Sequence, residues 1–525
     1  MKSQILHIFK NDVRHFWREI VLMVAIVVAY AWNTSSHSQE SGSFFFDIGF
    51  SFSSQILSLL VPVSFIFLIL RAVHTECPVG DRQFWVTRPY DWRKLLAAKL
   101  LLVFTFINLP LFILQVFLLW RAGFWPPRYL RGLLGLQVLW VAFVFLPAAT
   151  LAVVTVSIGQ FVLTLLGVLL YLIAAIALVS KVPNIGVEGA AGIPGSLSFI
   201  AVYAAFFLVV LWQYARRRTV RSRMVLLGLA AAVPILLAIT PYRTIIARVY
   251  PAPAAGQALP VRLAFDPAKP ASLKGGYPEK NRVHIKLPLL VSGMVEGSMV
   301  SEGGRMESIQ APGGLRWESR WEGGYGSVLA NRPHTSETIT IDKDFYERVK
   351  SVPVKIQITF ALTLSRATEV DHVVASAAPF AAPGDGRCSF SPLARNKAVC
   401  LFPVKSQVML LSAKSEEITC RPGDNGKPLP TGIVAYGWVW GFPLLGAEFG
   451  INPVSARELD LSDFGELKVD RFRGGTCPGT PLTIYTAWQD GLRYRSDLEI
   501  DGIRLADYKL DDSPDYGGGF GVSVP

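Results

Sequence analysis

Long apolar runs dominate the first 245 residues of the chain, and most of them have the length of a membrane crossing. A helix needs roughly 20 mostly apolar residues to cross the hydrocarbon layer of a bilayer. The pattern therefore predicts about seven membrane-spanning helices. We expect them at residues 18–34, 52–73, 97–120, 133–157, 160–180, 197–215 and 224–242.

The first of these runs has two interpretations. Its uninterrupted apolar part extends only from Ile20 to Trp32, and Ala29-Tyr30-Ala31 resembles the small-residue cleavage site of a signal peptide. However, Asp12 and Glu19 precede the run, and acidic residues are unusual in that part of a signal. A membrane span is the preferred prediction, and a cleaved signal peptide is the alternative.

The pattern changes after the Pro/Ala-rich stretch YPAPAAGQALP, which begins at Tyr250. Short runs such as RVHIKLPLLV and LTIYTAW follow, with polar and apolar residues in near alternation and Gly, Pro, Asp and Asn between them. This pattern is typical of antiparallel strands in β-sandwiches. The predicted fold is a polytopic α-helical membrane domain followed by an all-β extracytoplasmic region of one or two sandwich-like domains. The expected divisions are an amphipathic helix at 1–19, a transmembrane domain at 20–243, a linker at 244–261 and β domains at 262–370 and 371–525.

Composition supports a membrane protein, because 51% of the residues are hydrophobic and only 17% are charged. The net charge is +12 at pH 7, and the whole basic excess belongs to the apolar half of the chain. Its Lys and Arg residues flank the apolar runs and form no separate patch, so topology control explains them better than nucleic-acid binding.

These basic residues also predict the orientation, because cytoplasmic loops carry an excess of Lys and Arg. Three basic groups share one side if the N-terminus is cytoplasmic, and seven spans then place the β half outside. The segment 121–132 is an exception, because it carries three Arg on the predicted outer side. The three groups are Lys2, Lys10, Arg14 and Arg18; Arg82, Arg88, Arg93, Lys94 and Lys99; and Arg216, Arg217, Arg218, Arg221 and Arg223.

Cysteines give an independent indication of the compartment. Cys77 lies in a predicted cytoplasmic loop, and the other four cysteines lie in the β half. Two disulfides in an oxidising compartment would produce this distribution. The preferred pairing is Cys388 with Cys400 and Cys420 with Cys477, although the spacing allows three pairings and four unpaired thiols are the alternative.

No catalytic or metal-binding motif occurs in the sequence. It contains no G-x-x-x-x-G-K-[ST] phosphate loop, no H-E-x-x-H and no G-x-S-x-G, and its seven His lack metal-ligand spacing. Asp371 beside His372 fits a strand better than an acid/base pair, and no predicted span has a charge near its middle. Asn108, Gln115 and Gln137 are expected to form hydrogen bonds between helices. The expectation is therefore a non-enzyme without a cofactor or metal of its own.

A polar segment between the second and third predicted spans is crowded with charged and aromatic residues. Aromatic anchors and steering charges on a short helix suit an interface with a soluble partner. Its candidate residues are Glu76, Gly80, Asp81, Arg82, Trp85, Arg88, Pro89, Trp92, Arg93 and Lys99. The alternative is that the basic residues only hold the loop inside and that the two Trp lie at headgroup level.

Together with the amphipathic stretch LHIFKNDVRHFWREI at 6–20, this segment resembles the permease subunits of ABC transporters of the type-2 export class. The resemblance covers residues 1–215, and TRPYDWRKLLAAK is its closest part; the order of Gly and Arg departs from the common form. It implies a cytoplasmic elbow helix at 1–19 and a coupling loop at 74–99.

The resemblance implies a permease, most simply an exporter, in a bacterial inner membrane, with a cytoplasmic N-terminus and a periplasmic or extracellular β region. A separate cytoplasmic ATPase would hold ATP-Mg, and the permease would pair with itself or a related permease. Membrane lipid and a periplasmic protein are further expected partners. The alternative is a membrane-anchored extracytoplasmic binding or assembly protein. The transported substrate, the direction of transport and the role of the β region are left open.

Overall fold

The protein divides into a set of long apolar helices and a C-terminal region of β-sheets. The computed structural model describes residues 2–37, 52–75, 91–179, 194–239, 242–254, 259–268, 281–319, 321–322, 327–329, 334–374, 379–382, 385–390, 397–403, 408–415, 433–435, 451–460, 481–488 and 491–510. Five helices are long and apolar enough to cross a membrane: Gln4–Thr34, Ile56–His74, Trp92–Arg121, Pro126–Val154 and Ile158–Ala175. Two further apolar helices, Pro194–Arg216 and Thr219–Ile239, occupy the positions of the last two predicted spans.

The helices before the β region have the following bounds. They are α1 (Lys2–His37), α2 (Phe52–His74), α3 (Trp92–Val103), α4 (Leu109–Arg121), α5 (Leu130–Trp140), α6 (Leu146–Val154), α7 (Ile158–Val179), α8 (Pro194–Arg216), α9 (Thr219–Ile239) and α10 (Tyr242–Val249).

The first helix differs from the predicted elbow. α1 is one continuous helix of 36 residues, about 54 Å long, without a boundary between the predicted elbow and the first span. The reason lies in its sequence, because residues 2–37 contain neither Pro nor Gly to bend or end a helix. A separate elbow helix at 1–19 is therefore not observed.

Two π-helical turns interrupt the central helices. The turn Phe104–Asn108 joins α3 to α4, and the turn Val141–Phe145 joins α5 to α6. Each turn lies just before a proline, Pro110 or Pro147, which lacks an N–H and would clash inside a regular helix. The wider turn relieves this conflict within the span. We call the joined elements the α3–α4 helix (Trp92–Arg121) and the α5–α6 helix (Pro126–Val154).

Aromatic and aliphatic side chains fill the core of the helical bundle. The ring of Phe65 packs edge-on against Trp140 and Phe145, with centroids 6.1 and 6.0 Å apart. Gln137 Nε2 donates to Gln115 Oε1 across 2.8 Å in the buried contact between α4 and α5. This bond confirms the prediction that these two amides join helices. Asn108 Oδ1, in contrast, has no hydrogen-bond partner among the described residues.

The first part of the β region contains two sheets with a shared core. A three-stranded sheet has the order β1-β2-β6, and a five-stranded sheet has the order β16-β7-β3-β4 with β5 paired to β3. Their apolar faces, including Ile285, Leu287, Ile356 and Ile358, belong to one buried cluster. The strands are β1 (Arg262–Phe265), β2 (Arg282–Ser292), β3 (Ser298–Gln310), β4 (Arg316–Glu318), β5 (Ser327–Leu329), β6 (His334–Asp342), β7 (Val354–Arg366) and β16 (Leu492–Ile503). A short helix, α11 (Lys343–Val349), follows β6.

The second part contains two four-stranded sheets, with the orders β14-β11-β10-β9 and β13-β12-β15-β8. The strands are β8 (Glu369–Val374), β9 (Phe380–Ala382), β10 (Gly386–Phe390), β11 (Lys397–Pro403), β12 (Val408–Ser415), β13 (Ile433–Ala435), β14 (Val454–Asp460) and β15 (Pro481–Trp488).

The chain crosses between the two β parts at residues 367–368, beside the predicted division at 370. The predicted extent of the second domain, 371–525, is wrong at its C-terminal end. β16 pairs antiparallel with β7 from Leu492–Leu364 to Ile503–Val354, so this strand belongs to the first β part. A local pattern identifies a strand but not its distant partner, so the sequence did not predict that β16 pairs with β7.

Candidate coupling site

The predicted partner-binding segment lies only partly within the described residues. Trp92, Arg93 and Lys99 are described. The other candidates lie outside the described residues: Glu76, Gly80, Asp81, Arg82, Trp85, Arg88 and Pro89. The site is therefore defined by the two helix ends that flank the segment 76–90 and by what holds them.

The helix after the segment begins with a well-formed cap. The Asp91 carboxylate accepts a hydrogen bond of 3.1 Å from the backbone N–H of Arg93 and so satisfies one of the free donors at the start of α3. Trp92 packs on the bundle core, and Arg93 Cζ lies 5.5 Å from the Trp92 ring centroid. An Asp directly before an apolar run is a signal for the start of a helix, and α3 starts at Trp92 as this signal in YDWRKLLAAKL predicts.

Lys99 does not face a partner. Its ammonium Nζ lies 3.0 Å from Asp12 Oδ2 in α1, and the two side chains are only 5% and 8% exposed. A charge inside an apolar bundle is stable only with a close counter-charge, so these two residues hold each other inside. The prediction that Lys99 belongs to the contact surface is wrong, because the helix turns this residue towards α1.

Two further contacts bind α1 to the same region. Lys94 Nζ donates to Gln4 Oε1 across 2.8 Å, and Arg71 Nη2, near the end of α2, lies 3.4 Å from Glu19 Oε1. α1 therefore contacts both helices that flank the segment 76–90. We call α1 with these three contacts the α1 brace.

The remaining helix ends on this side of the bundle also meet. His74 Nε2 and Thr155 Oγ1 share a hydrogen bond of 3.1 Å, which joins the end of α2 to the end of α6. Arg223 in α9 donates through Nε and Nη2 to the carbonyl oxygen of Val154 across 3.1 and 2.8 Å. This fork satisfies an orphan carbonyl at the end of α6. The helix ends that the charge pattern assigns to the cytoplasm thus lie at one end of the bundle.

At the opposite end, the hairpin between α4 and α5 contacts the second β part. Arg128 Nη2 pairs with Asp385 Oδ1 at 2.7 Å, and Arg387 Cζ lies 5.8 Å from the Phe124 ring centroid. Leu401 and Val454 pack against a buried cluster of Leu119, Phe124, Tyr129 and Leu133. One of the three Arg residues that departed from the charge rule therefore has a counter-charge.

A disulfide lies beside this contact. Cys388 in β10 and Cys400 in β11 are directly opposite each other in the antiparallel pair and are bonded. The predicted short bridge is thereby confirmed. Cys77, Cys420 and Cys477 lie outside the described residues, so the second predicted bridge stays a prediction.

Sequence reasoning missed a buried charge cluster in the first β part. Arg305 in β3 contacts three carboxylates, at 3.2 Å from Glu302, 2.7 Å from Glu307 and 2.7 Å from Glu337 in β6. Arg305 Nη2 also donates to the carbonyl oxygen of Thr338 across 3.0 Å. We call these four ionisable residues the Arg305 cluster. Three of these residues lie within six positions of β3, and only Glu337 is distant in sequence. Alternation in SEGGRMES places Arg305 and Glu307 on one face, but the register shift between Glu302 and Gly304 means that it could not place Glu302 beside them.

The Arg305 cluster holds more acid than base. Burial is the main cause of the raised pKa of Glu302, Glu337 and Glu307, and it raises the pKa of Glu307 to about 7. Burial alone would lower the pKa of Arg305, but the three nearby carboxylates outweigh this effect, so the pKa of Arg305 is raised. Glu307 Oε2 has no hydrogen-bond partner among the described residues, which suits a carboxyl that carries a proton.

The described residues show no arrangement for metal binding. They contain no group of three or more His, Cys, Asp or Glu that could hold a metal ion. His372 pairs across the sheet with Thr483, and its Nδ1 shares a hydrogen bond of 3.0 Å with the Thr483 hydroxyl. This contact agrees with a structural role in the strand.

Comparisons with protein-family models and with curated proteins found no match. The resemblance to ABC permeases therefore depends on the residues quoted above.

Proposed function

We propose that the chain is a permease subunit of an ABC transporter, most simply an exporter, in a bacterial inner membrane. A separate cytoplasmic ATPase would bind at the segment 76–90 and hydrolyse ATP-Mg. The observation that carries this proposal is the buried Asp12–Lys99 pair, which fixes the helix that follows the segment to α1.

The α1 brace suits a segment that is pushed by a soluble partner. Movement of a loop reaches the membrane only if the helices at its two ends respond as packed bodies. α2 ends just before the segment, and α3 begins just after it. Glu19 of α1 contacts α2, and Gln4 and Asp12 of α1 contact α3. Displacement of the segment would therefore move α1, α2 and α3 together.

The same helices connect the segment to the opposite end of the bundle. The α3–α4 helix begins at Trp92, directly after the segment, and ends at Arg121, where the hairpin contacts Asp385 and Arg387 of the second β part. A shift of this helix would move the contact with it. The proposal therefore assigns the second β part a place in the transport cycle.

A pull-down tests the proposal. The tagged full-length protein is purified in mild detergent, and co-purifying proteins are identified by mass spectrometry. We expect an ATPase in the preparation and its loss, at least tenfold, in the triple variant Arg82→Ala, Trp85→Ala, Arg88→Ala. The matched control is Arg121→Ala, Trp125→Ala, Arg131→Ala, which removes the same residue types at the other end of the bundle and should retain the ATPase. Equal recovery in both variants would refute the assigned contact.

The second candidate is a membrane-anchored binding or assembly protein. The contact of the hairpin with Asp385 favours it, because an anchor would also hold its external region in a fixed place. In this case the wild-type protein would bring down no ATPase in any detergent. A ligand or protein captured through the β region would then identify the working part.

A further inference from the structure

An open apolar groove lies at the junction of α4 and α5, in the part of the bundle that is predicted to face the outer leaflet. Its volume is about 580 Å³, and every residue that lines it is apolar. Leu133 is fully buried at its floor, while Trp120 and Trp125 are 61% and 69% exposed at its rim. This volume falls within the range of sites for small ligands. Exposed Trp at such a place is typical of the interface between lipid tails and headgroups.

The charge around this groove is unusual for its predicted side of the membrane. Arg121, Arg128 and Arg131 are exposed and lie close in sequence to the lining residues, and residues 92–187 contain no Asp or Glu. Arg121 Cζ lies 5.8 Å from the ring centroid of Phe117, which lines the groove. Asp385 compensates Arg128. Arg121 and Arg131 place two further exposed guanidinium groups next in sequence to Trp120 and Leu130, which line the groove.

We propose that the groove binds an acyl chain of an anionic phospholipid and that Arg121 and Arg131 hold its headgroup phosphate. An apolar groove alone would accept the tail of any lipid, and the arginines add the selectivity. A guanidinium donates two parallel hydrogen bonds to phosphate oxygens, and this pairing is strongest at the edge of a low-dielectric medium. The net positive charge favours an anionic lipid over a zwitterionic one. The inference is independent of the proposed transport function.

Fluorescence quenching by brominated lipids tests the inference, because two Trp residues line the groove. The full-length protein is placed in nanodiscs with brominated phosphatidylglycerol or brominated phosphatidylcholine at equal mole fractions. The difference between wild type and Trp120→Phe/Trp125→Phe isolates the signal of the groove. We expect this signal to be quenched at least twofold more strongly by phosphatidylglycerol. Trp32, which is exposed on α1, serves as the control through Trp32→Phe and should be quenched equally by both lipids.

Two variants separate a specific site from ordinary boundary lipid. Arg121→Gln/Arg131→Gln should reduce quenching by phosphatidylglycerol to the level of phosphatidylcholine, whereas Arg218→Gln/Arg221→Gln at the other end should not. Ile113→Trp, which fills the groove from an exposed lining position, should abolish the lipid preference even if the arginine variant does not fold. Equal quenching of the wild-type groove signal by both lipids would overturn the proposal and leave only boundary lipid. A preference that survives both variants would overturn it as well.

Discussion

Buried charges at the residue scale occur in compensated groups. Asp12 and Lys99 form such a pair between two apolar helices, where an isolated charge would be expensive. The pair is evidence of specific placement more than of net stability, because desolvation offsets much of the attraction. Its placement at the α1 brace fixes the start of α3 to α1, which is the contact that the proposed function requires.

Removal of one member of this pair should be strongly destabilising. We expect Asp12→Asn to lower the free energy of unfolding by about 3–5 kcal/mol, because Lys99 remains buried without its counter-charge. The double variant Asp12→Leu/Lys99→Leu should recover most of this loss. Arg71→Gln, which breaks the more exposed pair with Glu19, is the control and should cost less than about 1 kcal/mol. Unfolding by SDS in mixed micelles measures all three, and a mild effect of Asp12→Asn would contradict the buried pairing.

The Arg305 cluster should make the first β part sensitive to pH. Burial is the largest cause of the raised carboxyl pKa values here; Glu302, Glu307 and Glu322 each raise the pKa of a neighbouring carboxyl further, whereas Arg305 lowers it. Because the pKa of Glu307 rises from 4.5 to about 7 on folding, the folded state keeps a proton that the unfolded state releases between these values. The contribution of Glu307 is full below pH 4.5 and is lost as pH rises through about 7, a change on the order of 3 kcal/mol.

The variant Glu307→Gln tests whether Glu307 makes the stability of the first β part depend on pH. The amide keeps the shape of the protonated acid and does not titrate. The variant should lose the Glu307 part of the pH dependence and should be more stable than wild type above pH 7. Pulse proteolysis in urea at pH 5 and pH 8, with peptides from residues 334–366 as the readout, compares the proteins at each pH. Glu347→Gln, at an exposed carboxyl in α11, is the control. Identical pH profiles for wild type and Glu307→Gln would refute the assignment.

At the scale of elements, long-range pairing and covalent closure hold the β parts together. β16 returns to β7 after more than 120 residues of intervening chain. The β10–β11 pair is closed by a disulfide between directly opposed residues and carries Asp385 and Arg387 to the helical hairpin. Stability of this strand pair should therefore control the contact with the hairpin.

Loss of the Cys388–Cys400 bridge should destabilise the second β part. Peptide mapping without reductant should recover residues 388 and 400 in one linked fragment. Cys388→Ala/Cys400→Ala should lower its free energy of unfolding by about 3 kcal/mol, because the open loop gains conformational entropy when unfolded. Protease sensitivity of residues 385–403 measures the effect, and Cys77→Ser provides the control. Recovery of both cysteines as free thiols from protein exported by the native host would contradict the bridge.

At the scale of the whole molecule, the contacts group the helix ends in two sets. The ends near Asp91, Thr155 and Arg223 meet on one side, and the hairpin at Arg128 meets the second β part on the other. This grouping agrees with the alternation that the charge pattern predicts. The number of membrane crossings and their direction stay predictions.

Labelling of engineered cysteines tests the orientation. Cys388 and Cys400 are buried, so exposed positions report better: Ser157 and Arg218 for the inside, and Pro127 and Glu347 for the outside. In a Cys77→Ser background, a membrane-impermeant maleimide applied to spheroplasts should label Pro127→Cys and Glu347→Cys at least tenfold more than the other two. Detergent should make all four reactive. The reverse pattern would invert the topology.

The sequence alone predicted much of the element order. Runs of apolar residues predict helices because every backbone polar group must be paired within the membrane, and alternating residues predict strands because side chains point to opposite faces. Asp91 at the start of α3 and Cys388 opposite Cys400 followed from local signals, namely capping chemistry and short spacing. These features depend on neighbours within a few residues or within one hairpin.

Only the tertiary structure decided the long-range partners. Lys99 turned from the predicted contact surface to Asp12, the elbow merged with the first span, and β16 joined the first β part. The Arg305 cluster and the Trp-lined groove also arise from elements that are distant or reversed in the chain. The physical reason is common to all of them: a one-dimensional pattern shows which residues must be buried or paired, and packing in three dimensions chooses their partners.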